Sequence, residues 1–64
     1  MYKDKMLAEK MLNYRARHNI SQTTLAKLCC VSVQTINSIE QCRQEPSALT
    51  RQKILNIVLK KEND

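Results

Sequence analysis

Apolar residues along this chain recur at helical rather than strand spacing. Leu7, Met11 and Tyr14 stand at i, i+4 and i+7 with strong helix formers between them, which predicts an amphipathic helix from about Asp4 to Arg17. His18 and Asn19 end it, and asparagine suits a left-handed residue just past a helix. Ser21 is a good N-cap, and Leu25, Ala26 and Leu28 are expected on one side of a second helix ending near Cys29. Val31 then turns inward. Ser32 caps a third helix reaching about Gln41, with Ile36 and Ile39 as its buried stripe. Gln41 to Pro46 reads as loop. Ser47 caps a fourth helix whose apolar positions include Leu49, Ile54, Leu55 and Val58, while Ile57 falls off that face, on a side expected to be exposed. The polar stretch Lys60 to Asp64 is expected to fray. Two short capped helices only a few residues apart have the layout of a helix-turn-helix. The expected fold is all-α, a single domain over residues 1–64 forming a compact bundle of four helices, five at most.

Composition narrows this picture. A chain of 64 residues makes one domain at most, and at that size folding buries only about 60% of the surface exposed by the unfolded chain. Glycine is absent, so left-handed turns must use Asn, Gln or Cys. With two Tyr and no Phe or Trp, the core is aliphatic, and there is no aromatic platform on which single-stranded bases would stack. No apolar run approaches the roughly 18 residues of a membrane span, and no basic-then-apolar leader precedes the first helix, so a cytoplasmic protein without a membrane partner is expected. Three cysteines, two of them adjacent, do not form a disulfide framework. Cys29, Cys30, Cys42 and His18 are nominally enough donors for zinc, but there is no C-x-x-C pair, and neighbouring cysteines rarely both reach one tetrahedral ion. The thiols are read as reduced and structural. No metal, cofactor or small-molecule ligand is expected.

Charge and the third helix point to a partner. The net charge of +5 and pI near 9.4 suit a polyanion, although a solvated basic surface would have the same balance. Lys3, Lys5, Lys10, Arg15 and Arg17 accumulate along the first helix against only Asp4 and Glu9. On a helical wheel the third helix turns Val33, Gln34, Asn37, Ser38 and Gln41 away from Ile36 and Ile39, a face without charge. Short neutral donor-acceptor side chains suit base edges: Gln or Asn bonds adenine through two atoms, Ser bonds several bases, and Val33 touches a thymine methyl. A polar face chosen by chance is the alternative. Helix N-termini at Ser21-Gln22 and Ser32 offer free amides to phosphates, and Gln22, Arg43, Lys10 and Arg17 are candidates to clamp the backbone. Arg15 and Glu40 are expected to form a partly buried ion pair between the first and third helices, against the alternative of two exposed, unpaired charges. No nucleophile-base pair, carboxylate dyad or phosphate loop points to an enzyme, and His18 at a helix end is expected on the surface.

The run from Ile20 to Glu40, with Ser21-Gln22, Leu25-Ala26, Val31-Ser32, Thr35-Ile36 and Ile39-Glu40, followed by Pro46-Ser47, resembles the lambda-repressor-like, Cro/C1-type (Xre) helix-turn-helix family. The resemblance covers roughly Met11 to Val58. It implies a third helix lying in the major groove while the second crosses the backbone. The base-reading sites it implies are Val33, Gln34 and Ser38, with Asn37 close by. Its phosphate contacts fall on Gln22, Gln41 and Arg43, and its ion pair on Arg15 and Glu40. The family usually places Gly where this chain has Cys30 and Cys42, and a core Leu where it has Arg51, which predicts strained turns and altered packing of the fourth helix. The family's fifth helix is not expected within these residues, so a four-helix minimal domain is expected. The resemblance further implies a homodimer on double-stranded DNA and a sequence-specific transcriptional regulator of repressor type. Two other functions share the fold: a DNA-binding antitoxin of a toxin-antitoxin pair, and a protein-interaction module.

Overall fold

Three serines set where the helices begin. In a computed structural model that describes residues 5–59, the elements are α1 (Lys5–His18), α2 (Gln22–Cys29), α3 (Val33–Glu40) and α4 (Ala48–Val58). Ser21, Ser32 and Ser47 are the N-caps of α2, α3 and α4, each with an extended backbone and an Oγ accepting from the amide of the Thr three residues on. Those Thr hydroxyls, on Thr24, Thr35 and Thr50, also bond the serine Oγ at 3.2, 2.9 and 3.1 Å. Each serine therefore satisfies an amide that the helix itself leaves unpaired.

Three left-handed residues end α1, α2 and α3. Asn19, Cys30 and Cys42 have φ of 54°, 60° and 57°. Beyond each, an amide folds back across the last turn: Ile20 donates to the Arg15 carbonyl, Val31 to Ala26 and Arg43 to Ser38, at 3.1, 3.0 and 2.9 Å. This is the Schellman arrangement, built here without glycine. The tight link at Cys30 brings the C-terminus of α2 next to the Ser32 cap of α3.

All four helices contribute to one aliphatic core: Leu7 and Met11 from α1, Leu25, Ala26 and Cys29 from α2, Ile36 and Ile39 from α3, and Ile54 and Val58 from α4. Tyr14, Ile20, Val31, Leu55 and Ile57 pack around it, half-buried. Burying each large aliphatic side chain contributes about 1.5 to 3 kcal/mol, so these few residues hold the helix-turn-helix rigid. Burial, with a smaller effect from the neighbouring Cys30, pushes the Cys29 thiol up to about 11, which suits a core residue and not a nucleophile.

Several expected positions differ. Leu28 is 45% exposed, because the stripe of α2 runs through Leu25, Ala26 and Cys29 and Leu28 lies roughly 60° to the far side of Leu25. Leu49 is 67% exposed, in the first turn of α4 before the helix meets the core. Ile57 is half-buried against the core rather than exposed, since it flanks Ile54 and Val58 at helical spacing. His18 is not a free surface residue but half-buried, its ring 4.2 Å from that of Tyr14 at 34°. The fraying expected for Lys60 to Asp64, the start at Asp4 and the charge of Lys3 lie outside the described residues. No helix among the described residues is long and apolar enough to cross a membrane.

Candidate nucleic-acid interface

The outer face of α3 opens on a concavity of about 420 Å³ lined by Ser32, Gln34, Thr35, Asn37, Ser38, Arg43 and Gln44. Its position follows from the local geometry already described. The Ser32 cap fixes where α3 starts, Ile36 and Ile39 hold its inner face in the core, and the left-handed Cys42 turns Arg43 back beside Ser38. The wall is hydroxyls and amides, and Arg43 is the cation among these lining residues.

Behind this face, side chains join α1, α2 and α3. Arg15 Nη1 lies 2.8 Å and 3.1 Å from the Glu40 carboxylate oxygens, and Arg15 Nε donates to the Ile20 carbonyl at 3.4 Å. The Glu40 side chain is only 5% exposed and that of Arg15 24%, so the pair is poorly screened by water. Gln22 Nε2 donates to Glu40 Oε1 at 2.9 Å and to Asn37 Oδ1 at 3.2 Å. Asn37 Oδ1 also accepts from Gln41 Nε2 at 3.0 Å. The start of α2 is thereby tied to the outer face of α3.

Gln34, Asn37, Ser38, Ser32 and Arg43 meet at the concavity. Val33, at the first position of α3, is exposed beside it and does not line it. Ser21 caps α2 outside it, and Lys10 and Arg17 sit half-buried and exposed on α1, also outside. Gln22 is half-buried, and both protons of its side-chain amide are committed to Asn37 and Glu40. Its backbone amide lies in the first turn of α2. Exposed Gln41 commits one amide proton to Asn37. Thr35, which the sequence offered only as part of the Thr35-Ile36 motif, and Gln44 also line the concavity, and neither was among the expected site residues. The recurring Ser-x-x-Thr of the three caps was a signal for Thr35; nothing in the sequence marked Gln44.

A helix-turn-helix family model matches residues 11–57. A Methanocaldococcus jannaschii protein described as an uncharacterized HTH-type transcriptional regulator is 46% identical over 41 residues, which cover 64% of this chain and 62% of that protein. The chain thus spans less than two thirds of the relative it matches. No solved structure matches. Because the family match takes in all of α2 and α3, more than half of α1 and nearly all of α4, the chain belongs to the Cro/C1-type helix-turn-helix family.

Proposed function

We propose that this chain binds double-stranded DNA sequence-selectively, with α3 in the major groove, and regulates transcription as a repressor. The observation that carries the proposal is the α3 concavity, where neutral hydrogen-bonding side chains converge beside a single arginine. Base edges are read by such groups, and phosphates by cations and helix-terminal amides. In this reading Gln34, Asn37 and Ser38 face base edges, and Val33 rests against a thymine methyl. The N-termini of α2 and α3, at Ser21-Gln22 and Ser32, approach phosphates through backbone amides, with Gln41, Arg43, Lys10 and Arg17 adding backbone contacts. The match to an HTH-type transcriptional regulator supports the same reading. A domain occupying the groove excludes other proteins from that stretch of DNA, which is sufficient for repression.

A homodimer on two half-sites accompanies the proposal, spaced about 34 to 36 Å, one helical turn, apart. Selection of binding sites from a random duplex pool tests both parts. The expected result is a short consensus repeated as a pseudo-palindrome, and sedimentation of a 2:1 complex on it. An unenriched pool would overturn the DNA-reading function, and a single asymmetric site bound by one chain would overturn the dimer.

A further inference from the structure

Asn37 is held by two donors on one of its two amide atoms. Gln22 Nε2 and Gln41 Nε2 both reach Oδ1, at 3.2 and 3.0 Å. The polarity of this arrangement is forced. Gln22 Nε2 also bonds Glu40 Oε1 at 2.9 Å, and a carboxylate offers only acceptors, so Gln22 must turn its nitrogen, not its oxygen, that way. The same nitrogen then meets Asn37, which has to answer with its oxygen. Glu40 cannot swing aside to relax this order, because Arg15 Nη1 bonds both carboxylate oxygens. Asn37 Nδ2 makes no hydrogen bond among the described residues and is not a buried atom, so it is open to solvent on a residue that lines the concavity.

We infer that Asn37 determines specificity as a donor alone, presenting its N–H groups to a base with a major-groove carbonyl, guanine or thymine, in preference to adenine, whose one acceptor sits beside an amino group, and to cytosine, which has none. The inference rests on the DNA-reading function proposed above. An unconstrained asparagine favours adenine, donating to N7 while its oxygen accepts from the N6 amino group. Here that oxygen already receives two protons, so adenine keeps only its N7 acceptor, beside an N6 amino group that meets the nitrogen donor to donor, and cytosine offers only an amino group. Guanine O6 and N7, or thymine O4, present acceptors instead.

The test is duplex selection by the wild-type protein, Asn37→Ala and Asn37→Asp, with helicity by circular dichroism as the folding control. Alanine is a strong helix former at this mid-helix position, and its variant identifies the base pair that residue 37 reads as the one whose preference disappears. At that pair the wild-type protein is expected to favour guanine or thymine over adenine or cytosine by about tenfold. Asn37→Asp keeps an acceptor for Gln22 and Gln41 but replaces the outward donor with an acceptor, and is expected to shift the preference toward cytosine or adenine. If the aspartate variant does not fold, the wild-type ranking of four duplexes differing at that pair decides. A wild-type preference for adenine or cytosine there, or an Ala variant with unchanged selection, would overturn the role of Asn37 while leaving DNA reading intact. A wild-type protein that selects no sequence would overturn the reading on which the inference stands, and the inference with it.

Discussion

Cys30 and Cys42 occupy left-handed conformations that cost a residue with a Cβ about 1 to 2 kcal/mol. The side chain of Cys30 is exposed, so little packing compensates. Cys30→Gly is therefore expected to stabilise the fold by about 1 kcal/mol net, raising the thermal midpoint by about 4 to 8 °C, whereas β-branched Cys30→Val should lower it. An unchanged or lower midpoint for the glycine variant would show that the thiol makes a contact worth more than the strain. Cys29 gives a pH dependence. Its thiol loses its proton near 9.0 in the unfolded chain but only at about 11 in the fold, so the unfolded state binds fewer protons between these values. Stability from this group is complete below pH 9 and falls as pH rises toward 11. Urea titrations across that range should show a steeper alkaline loss for the wild-type protein than for Cys29→Ala; parallel losses would remove the effect. On the DNA side, Gln34→Ala is expected to lose about 1 to 3 kcal/mol on the selected site and to relax one base pair. Arg43→Ala should weaken all sequences alike, as a phosphate contact would; a loss confined to one base pair would make Arg43 a reader instead.

At the scale of elements, the Arg15–Glu40 pair fixes α1 against α3. Removing the guanidinium leaves a nearly buried carboxylate with Gln22 as its remaining side-chain donor. Arg15→Ala is expected to cost about 2 to 3 kcal/mol, and the double variant Arg15→Leu/Glu40→Leu less than the two single changes combined. Equilibrium unfolding of the set measures the coupling, and strict additivity would show that the pair contributes nothing as a pair. The boundaries of α2 and α3 were legible in the sequence because Ser21 and Ser32 are strong local signals, and asparagine at position 19 announced the end of α1 in the same way. Leu28 and Ile57 were misplaced because, in a helix of two or three turns, a few apolar residues allow more than one stripe and only packing selects among them; Leu49 was misplaced because the first turn of α4 precedes its contact with the core. The engagement of Asn37 by Gln22 was illegible because it depends on how α2 and α3 cross, whereas Gln41 reaches Asn37 across one helical turn, a spacing the sequence does contain. Helical periodicity gives which face a residue occupies, but not which of its atoms remains free there.

At the scale of the whole molecule, the proposed function assigns the long-range attraction to a net charge of +5 and the discrimination to α3. Binding through several phosphates should weaken steeply with salt, log K falling by about 0.9 per phosphate neutralised for each unit of log salt. A salt-indifferent affinity would instead favour a protein-interaction module. The central claim is that the concave face of α3 meets DNA, and amide chemical-shift mapping on titration with the selected duplex tests it most directly. The predicted result is a contiguous set of perturbed amides covering Ser32 to Ser38, Arg43, Gln44 and the first turn of α2, with the exposed side of α4 unmoved. Perturbations centred on Gln52, Asn56 and Leu59 of the α4 end, with α3 unchanged, would contradict it.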